Sequence, residues 1–148
     1  MKEENVKIKL LNENAKIPTY GSIDAAGADI YANIDSEITI KPHETVFIKT
    51  GLTFAIPKGL VGLVYARSGL SCKQGLAPAN KVGVIDSDYR GELMVALHNH
   101  SEEEKIVHPN DRIAQIVFTP YVKASFIETD NLDETIRGNG GFGSTGKN

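Results

Sequence analysis

The sequence predicts an all-β domain, a sandwich or barrel of many short strands. Three observations carry that prediction. Apolar and polar residues alternate at period two in one segment after another, so each segment presents one apolar face. Turn-forming residues interrupt these segments at short intervals: Pro42, Gly51, Pro57 to Gly59, Gly75, Pro78, Gly91, Pro109-Asn110 and Pro120. No stretch sustains the 3.6-residue period of an amphipathic helix, and no internal repeat is present.

The elements follow in order. Val6, Ile8 and Leu10 alternate with Lys7 and Lys9. Residues 26–31 are small and strand-forming around one Asp, and Ile38 and Ile40 flank a Thr. The β-branched and aromatic run 45–56 contains the pair Val46 and Ile48, and a second run covers 60–66. Residues 68–74 read as the one helical turn, closed by Gly75, which tolerates a left-handed cap. Strand character returns over 81–85, in Leu93, Val95 and Leu97, and over 112–118. The acidic run Glu102-Glu103-Glu104 reads as a solvated hairpin between strands. From about residue 128 the alternation stops, and the last twelve residues read as a flexible glycine-rich tail.

Length and composition bound the rest. A chain of 148 residues suits one domain. It has forty Leu, Ile, Val and Phe residues, above the roughly 20% floor below which a core fails to form. No apolar run is long enough for a membrane span, and Met1-Lys2-Glu3-Glu4-Asn5 does not open a signal peptide. A single cysteine, Cys72, excludes an internal disulfide framework and favours a reducing, cytoplasmic compartment, where it reads as structural. The net charge of −3, with no long Lys/Arg stretch, argues against a duplex nucleic-acid partner.

Several polar residues interrupt apolar runs. Asp29 sits in Ala26-Gly27-Ala28-Asp29-Ile30 and alone reads as a turn Asp accepting a backbone hydrogen bond. Arg67 and Ser68 end a strand and start the helical turn, as an anion site or as a Ser N-cap beside a surface Arg. Residues 83–91, Gly83-Val84-Ile85-Asp86-Ser87-Asp88-Tyr89-Arg90-Gly91, read as a polar hairpin turn, with Asp86 nearer the core than Asp88. Gln115, within an apolar run, is a structural bridge or a ligand contact. His98 and His100 share a strand face, but no third ligand of suitable spacing accompanies them, which argues against zinc.

The tail holds five of the 14 glycines between positions 138 and 146. Gly138, Gly140 and Gly143 match the dinucleotide-binding spacing but lack the strand before and the helix after that it requires. Glycine-rich backbone can still wrap phosphate oxygens, with Arg137, Ser144 and Thr145 assisting and Phe142 free to stack on a base. A disordered terminus is the plainer alternative.

Taken in order, five of these stretches resemble the homotrimeric deoxyuridine triphosphate nucleotidohydrolases (dUTPases). They are Ala26 to Ile30, Arg67-Ser68-Gly69-Leu70-Ser71, Gly83 to Gly91, Arg112-Ile113-Ala114-Gln115, and the tail from Arg137 to Gly146. The resemblance implies a jelly-roll-like β-barrel or sandwich core over 1–136 and a phosphate-binding lid over 137–148. It implies hydrolysis of dUTP to dUMP and pyrophosphate, which lowers dUTP and supplies dUMP for thymidylate synthesis. Asp86 matches the general base that holds the attacking water, and Asp29 a catalytic-site residue that orients the machinery around it. Tyr89 matches the residue under the deoxyribose, and a hairpin from about Asn80 through Gly83 to Tyr89 would read uracil. Arg67, Ser68, Gly69 and Gln115 match triphosphate contacts. Arg137 would meet the γ-phosphate, Phe142 would cover uracil, and Gly143, Ser144 and Thr145 would close on the phosphates. Mg²⁺ would be held mainly by the triphosphate and waters, with no protein metal site, and each active site would draw on three chains.

Two other readings compete. A dCTP deaminase of similar fold carries a Glu where this chain has Ala96. A catalytically silent jelly-roll binding module is expected to have lost Asp86 or the tail, and both are present.

Overall fold

Every alternating segment of the sequence becomes a strand. The computed structural model describes residues 3–141. Its elements are β1 (Lys7–Leu10), β2 (Thr19–Tyr20), β3 (Ala28–Tyr31), β4 (Ile38–Ile40), β5 (Thr45–Lys49), β6 (Leu52–Ala55), β7 (Leu60–Tyr65), α1 (Ser68–Gln74), β8 (Leu76–Pro78), β9 (Gly83–Ile85), β10 (Met94–Asn99), β11 (Lys105–Val107) and β12 (Arg112–Pro120). The run 45–56 divides because Gly51 turns the chain at φ 68°. There a Cβ would strike the Asn33 amide and the Ala15 methyl. The helix ends as expected: Gly75 is left-handed at φ 71°, and its amide returns to the Leu70 and Ser71 carbonyls. Its start differs from the N-cap expectation. Arg67 is the capping residue, without a side-chain capping bond to the helix, and Ser68 is already helical.

Antiparallel pairing builds a five-stranded sheet in the order β2-β3-β12-β7-β9 and a three-stranded sheet β5-β10-β8. Two smaller antiparallel pairs, β1-β6 and β11-β4, complete the framework. The inward faces meet in one core containing Ile30, Ile40, Ile48, Leu52, Leu97 and Ile116, all fully buried. Each such side chain contributes about 1.5–3 kcal/mol on leaving water. The sheets do not close into a barrel, so the sandwich form of the expected fold is the correct one.

Two expected hairpins are crossings between sheets instead. β9 pairs with β7, whereas β8 and β10 both belong to the three-stranded sheet, so residues 79–93 leave that layer, add β9 to the other and return. The acidic run likewise joins β10 to β11, which pairs with β4. Period two reports which face a residue takes but not which strand lies beside it. The crossing at 99–103 is tied by buried Asn99. Its amide donates to the Ile40 and Glu103 carbonyls, and its oxygen accepts from Ser101.

Among the described residues no strand follows Pro120, earlier than the loss of alternation near 128 suggests. Val122, Phe126, Ile127, Leu132 and Ile136 beyond it are all at least 86% exposed. Cys72, expected to be structural, is exposed on α1 rather than packed. No helix among the described residues is long and apolar enough to cross a membrane.

Candidate active site

The centre of the five-stranded sheet carries one polar row. Register places Thr19 opposite Asp29, Asp29 opposite Gln115, and Gln115 opposite Tyr65. Asp29 is 9% exposed, so its charge requires partners. Arg67 Nε donates to one carboxylate oxygen at 2.7 Å and Arg112 Nη1 to the other at 3.1 Å. Asp29 is therefore no turn residue but the anchor of two guanidinium groups. Arg67 also donates to the Arg112 carbonyl at 3.3 Å.

A β-bulge makes this arrangement possible. β12 shifts register between Arg112 and Ala114, which leaves Ile113 unpaired. Arg112 then stands opposite Tyr31 while Gln115 stands opposite Asp29, and the two project from the same face. Without the extra residue, alternation would turn Arg112 to the opposite face. Gln115 donates from Nε2 to the Ala66 carbonyl at 2.8 Å and so bridges β12 to the residue preceding Arg67. A Cβ at Gly27 would overlap the Gln115 oxygen, so that glycine gives the amide its room. Arg67 and Arg112 open onto a cavity of about 200 Å³ that also touches Leu70, Gln74 and Asp111.

The other candidate residues gather on a different depression. Asp86 and Tyr89 line a space of about 250 Å³ with Phe47, Val84, Glu92 and Met94. The turn closes with the Tyr89 amide donating to the Asp86 carbonyl at 3.2 Å, and Tyr89 Oη donates to the Glu92 carbonyl at 2.9 Å. Asp86 is exposed, as is Asp88, so burial does not separate them as expected; lining the depression does. The Asp86 carboxylate makes no hydrogen bond with a described side chain or backbone group. β9 is a sheet edge, so its outer row of backbone groups is open. Gly83 packs under Asn80: a Cβ there would lie 3.1 Å from the Asn80 amide nitrogen.

The two groups are separated by register. Ile85 pairs with Gly62, which puts Asp86 beside Val61, six residues along β7 from Arg67. At about 3.3 Å per residue this is roughly 20 Å. Ser68 and Gly69 stay with Arg67 in the first turn of α1, and a Cβ on Gly69 would meet nothing within 4 Å. Arg137 is exposed and donates from Nε to the Gly140 carbonyl at 2.9 Å. Phe142, Gly143, Ser144 and Thr145 lie outside the described residues.

The family model described as dUTPase matches residues 13–146. The chain belongs to the dUTPase family. The deoxyuridine 5′-triphosphate nucleotidohydrolase of Desulfitobacterium hafniense is 51% identical over 147 residues, covering 96% of this chain and 97% of the relative. That of Syntrophotalea carbinolica is 45% identical over 146 residues and covers 99% of each. A mutant dUTPase of Staphylococcus bacteriophage 80alpha with dUpNHpp matches with a TM-score of 0.88 at 27% identity, covering 97% of this chain and 99% of that one. A mutant dUTPase from phage phi11 of S. aureus, solved for the coordination of a structural Mg(II) ion, matches with a TM-score of 0.79 at 25% identity, covering 88% and 100%.

Among the described residues no group of three or more His, Cys, Asp or Glu could hold a metal ion. His98 and His100 pack ring against ring at 4.4 Å, with His98 Nδ1 bonded to Thr45 Oγ1 at 2.8 Å.

Three residues that hold these candidate groups in place escaped the sequence reading. Arg112 stands in the quoted motif, but its link to Asp29 depends on the bulge. Arg90 donates from Nη1 to the Ser87, Tyr89 and Phe54 carbonyls at 2.8, 2.9 and 3.4 Å, bracing the Asp86 turn. Glu92 supplies the carbonyl that holds Tyr89. A cation at the end of a polar turn was the available signal for Arg90, but it does not say which carbonyls are in reach.

Proposed function

We propose that the chain hydrolyses dUTP to dUMP and pyrophosphate, with Asp86 as general base. The observation that carries this reading is the depression in which Asp86 and Tyr89 share one turn beside the open edge of β9. An exposed carboxylate that accepts no hydrogen bond from the described residues is available to hold a water. That water attacks the α-phosphorus and passes its proton to Asp86. The bond from the α-phosphorus to the α,β-bridging oxygen breaks, and pyrophosphate leaves. No covalent intermediate on the protein is required, so positioning and charge stabilisation carry the rate. Mg²⁺ carried on the substrate's phosphates would supply charge stabilisation there and at the leaving group.

The remaining roles follow from chemistry. The open backbone of β9 offers donors and acceptors of fixed direction, suited to uracil's polar edge. Fixed groups left unpaired by the wrong base give strong discrimination. Tyr89 lies under the deoxyribose, where a 2′-hydroxyl would collide. Arg67, the amides at Ser68 and Gly69, and Gln115 face the triphosphate, and the open space at Gly69 suits close approach of a phosphate. Asp29 acts behind them by holding Arg67. Residues 137–148, with Arg137, Phe142, Gly143, Ser144 and Thr145, act as a lid over a core ending at 136.

The active unit in this proposal is a homotrimer in the cytoplasm. Two facts support shared sites: Asp86 and Arg67 are about 20 Å apart within one chain by register, and five large apolar side chains beyond Pro120 are uncovered by their own chain. Residues 121–136 then lie on a neighbour and deliver the lid to its site.

The assay is pyrophosphate release from dUTP with Mg²⁺, beside ammonia release from dCTP and a solution mass. Pyrophosphate from dUTP and a mass of three chains are expected. Ammonia from dCTP would establish a deaminase, no product a silent module, and an active monomer would exclude shared sites.

A further inference from the structure

The turn bearing Asp86 and Tyr89 is locked by bonds that the proposed reaction does not use. Arg90 braces three carbonyls from one side, and Thr53 Oγ1 donates to the Arg90 carbonyl at 2.9 Å. On the other side Tyr89 Oη is latched to the Glu92 carbonyl. The Glu92 carboxylate in turn accepts the Gly51 amide at 2.9 Å, tying the latch to the β5–β6 turn. Gly91 lies between ring and latch. Its backbone is not left-handed, so conformation does not demand glycine there. The ring demands it. A Cβ on Gly91 would lie 2.9 Å from Tyr89 Cε2 and closer still to Cζ and Oη.

We propose that Gly91 is a specificity-determining residue: by carrying no Cβ it lets the Tyr89 ring lie across the turn and latch to Glu92, and the latched ring rejects ribonucleotides. The inference rests on the reading of Tyr89 as the residue under the deoxyribose. A steric wall discriminates only as far as it resists displacement. Tyr89 is 43% exposed, and an unheld exposed side chain changes rotamer within picoseconds to nanoseconds. Such a ring would move aside for one hydroxyl. Fixed at its base by the braced turn and at its tip by the latch, it cannot do so without breaking a hydrogen bond.

The collision in Gly91→Ala involves the far end of a side chain, so the ring yields and the backbone does not. The variant should fold with Tm within about 4 °C of wild type. Its ratio of kcat/KM for dUTP over UTP should fall at least about tenfold, the effect of losing one well-placed contact in the transition state. Tyr89→Phe removes the latch but keeps the ring, so its ratio should fall in the same direction. Tyr89→Ala, which tests the parent reading, should lower the ratio most. If Tyr89→Ala lowers the ratio while Gly91→Ala and Tyr89→Phe leave it unchanged, the latch is wrong and the role of Tyr89 stands. An equal loss with both substrates in Gly91→Ala would make Gly91 merely structural. An unchanged ratio in Tyr89→Ala would overturn the parent reading and the latch together.

Discussion

Asp29 holds Arg67 through a 2.7 Å contact between Oδ1 and Nε, while its second oxygen takes Arg112 at 3.1 Å. The Asp29 side chain is 13% exposed, that of Arg67 25% and that of Arg112 51%. One nearly buried anion thus positions a cation from the end of β7 and another from the start of β12.

Asp29→Ala leaves both cations without their partner. Breaking a buried pair costs roughly 3–5 kcal/mol, and the exposure of Arg112 lowers the expectation here to about 2 kcal/mol. Thermal melts should show a Tm lower by roughly 4–8 °C, accompanied by a fall in kcat/KM for dUTP. An unchanged Tm would mean that the pair does not hold the two strands.

Asp86→Asn keeps the shape of the turn but removes the base. Because the carboxylate accepts no hydrogen bond from the described residues, the substitution disturbs little else. The expected result is a kcat lower by about 10²–10⁴, with dUpNHpp bound within a few-fold of wild type. Turnover near wild type in a pyrophosphate-release assay would remove Asp86 from the role.

Truncation after Ile136 tests the lid. Residues 121–139 are exposed, so the fold should persist with a Tm change of no more than about 4 °C, while kcat falls about a hundredfold or more. Unfolding of the truncated chain would make the tail structural instead.

Mixing tests the shared site. Asp86→Asn chains and truncated chains, each inactive alone, are unfolded together and refolded together. If base and lid come from different chains, mixed trimers contain some intact sites and activity returns. A mixture as inactive as its parents would place base and lid on one chain.

Acidification tests His100. Burial among its neighbours, then the nearby His98, Lys81 and His43, hold its imidazole below the ordinary value. A lowered base favours the neutral form in the folded state, so the unfolded chain takes the proton first. The contribution is complete above the unfolded value near 6.5 and declines as pH falls through the folded value. Between pH 7.5 and 5, Tm should therefore fall less in His100→Gln than in wild type. Parallel curves would show that the group does not contribute.

The local features of this chain are legible from its residues. Alternation around Ile38, Ile48 and Val95 places β4, β5 and β10, because pleating sets which side chains face inward, and the apolar run 112–118 places β12. Gly75 ends α1 because a left-handed cap there costs glycine nothing. The five motifs around Asp29, Arg67, Asp86, Gln115 and Arg137 lead to the family without any coordinates. None of this says which strand lies beside which.

Neighbours were decided by the tertiary structure. The bulge at Ile113 turns Arg112 toward Asp29, the pairing of β9 with β7 carries Asp86 away from Arg67, and the fit of Tyr89 over Gly91 depends on where the Glu92 carbonyl falls. These are long-range or close steric relations, settled by the burial of the whole core and by register across sheets. Periodicity within a strand is blind to them, because a strand's faces follow from its own pleat whereas its partners follow from everything packed around it.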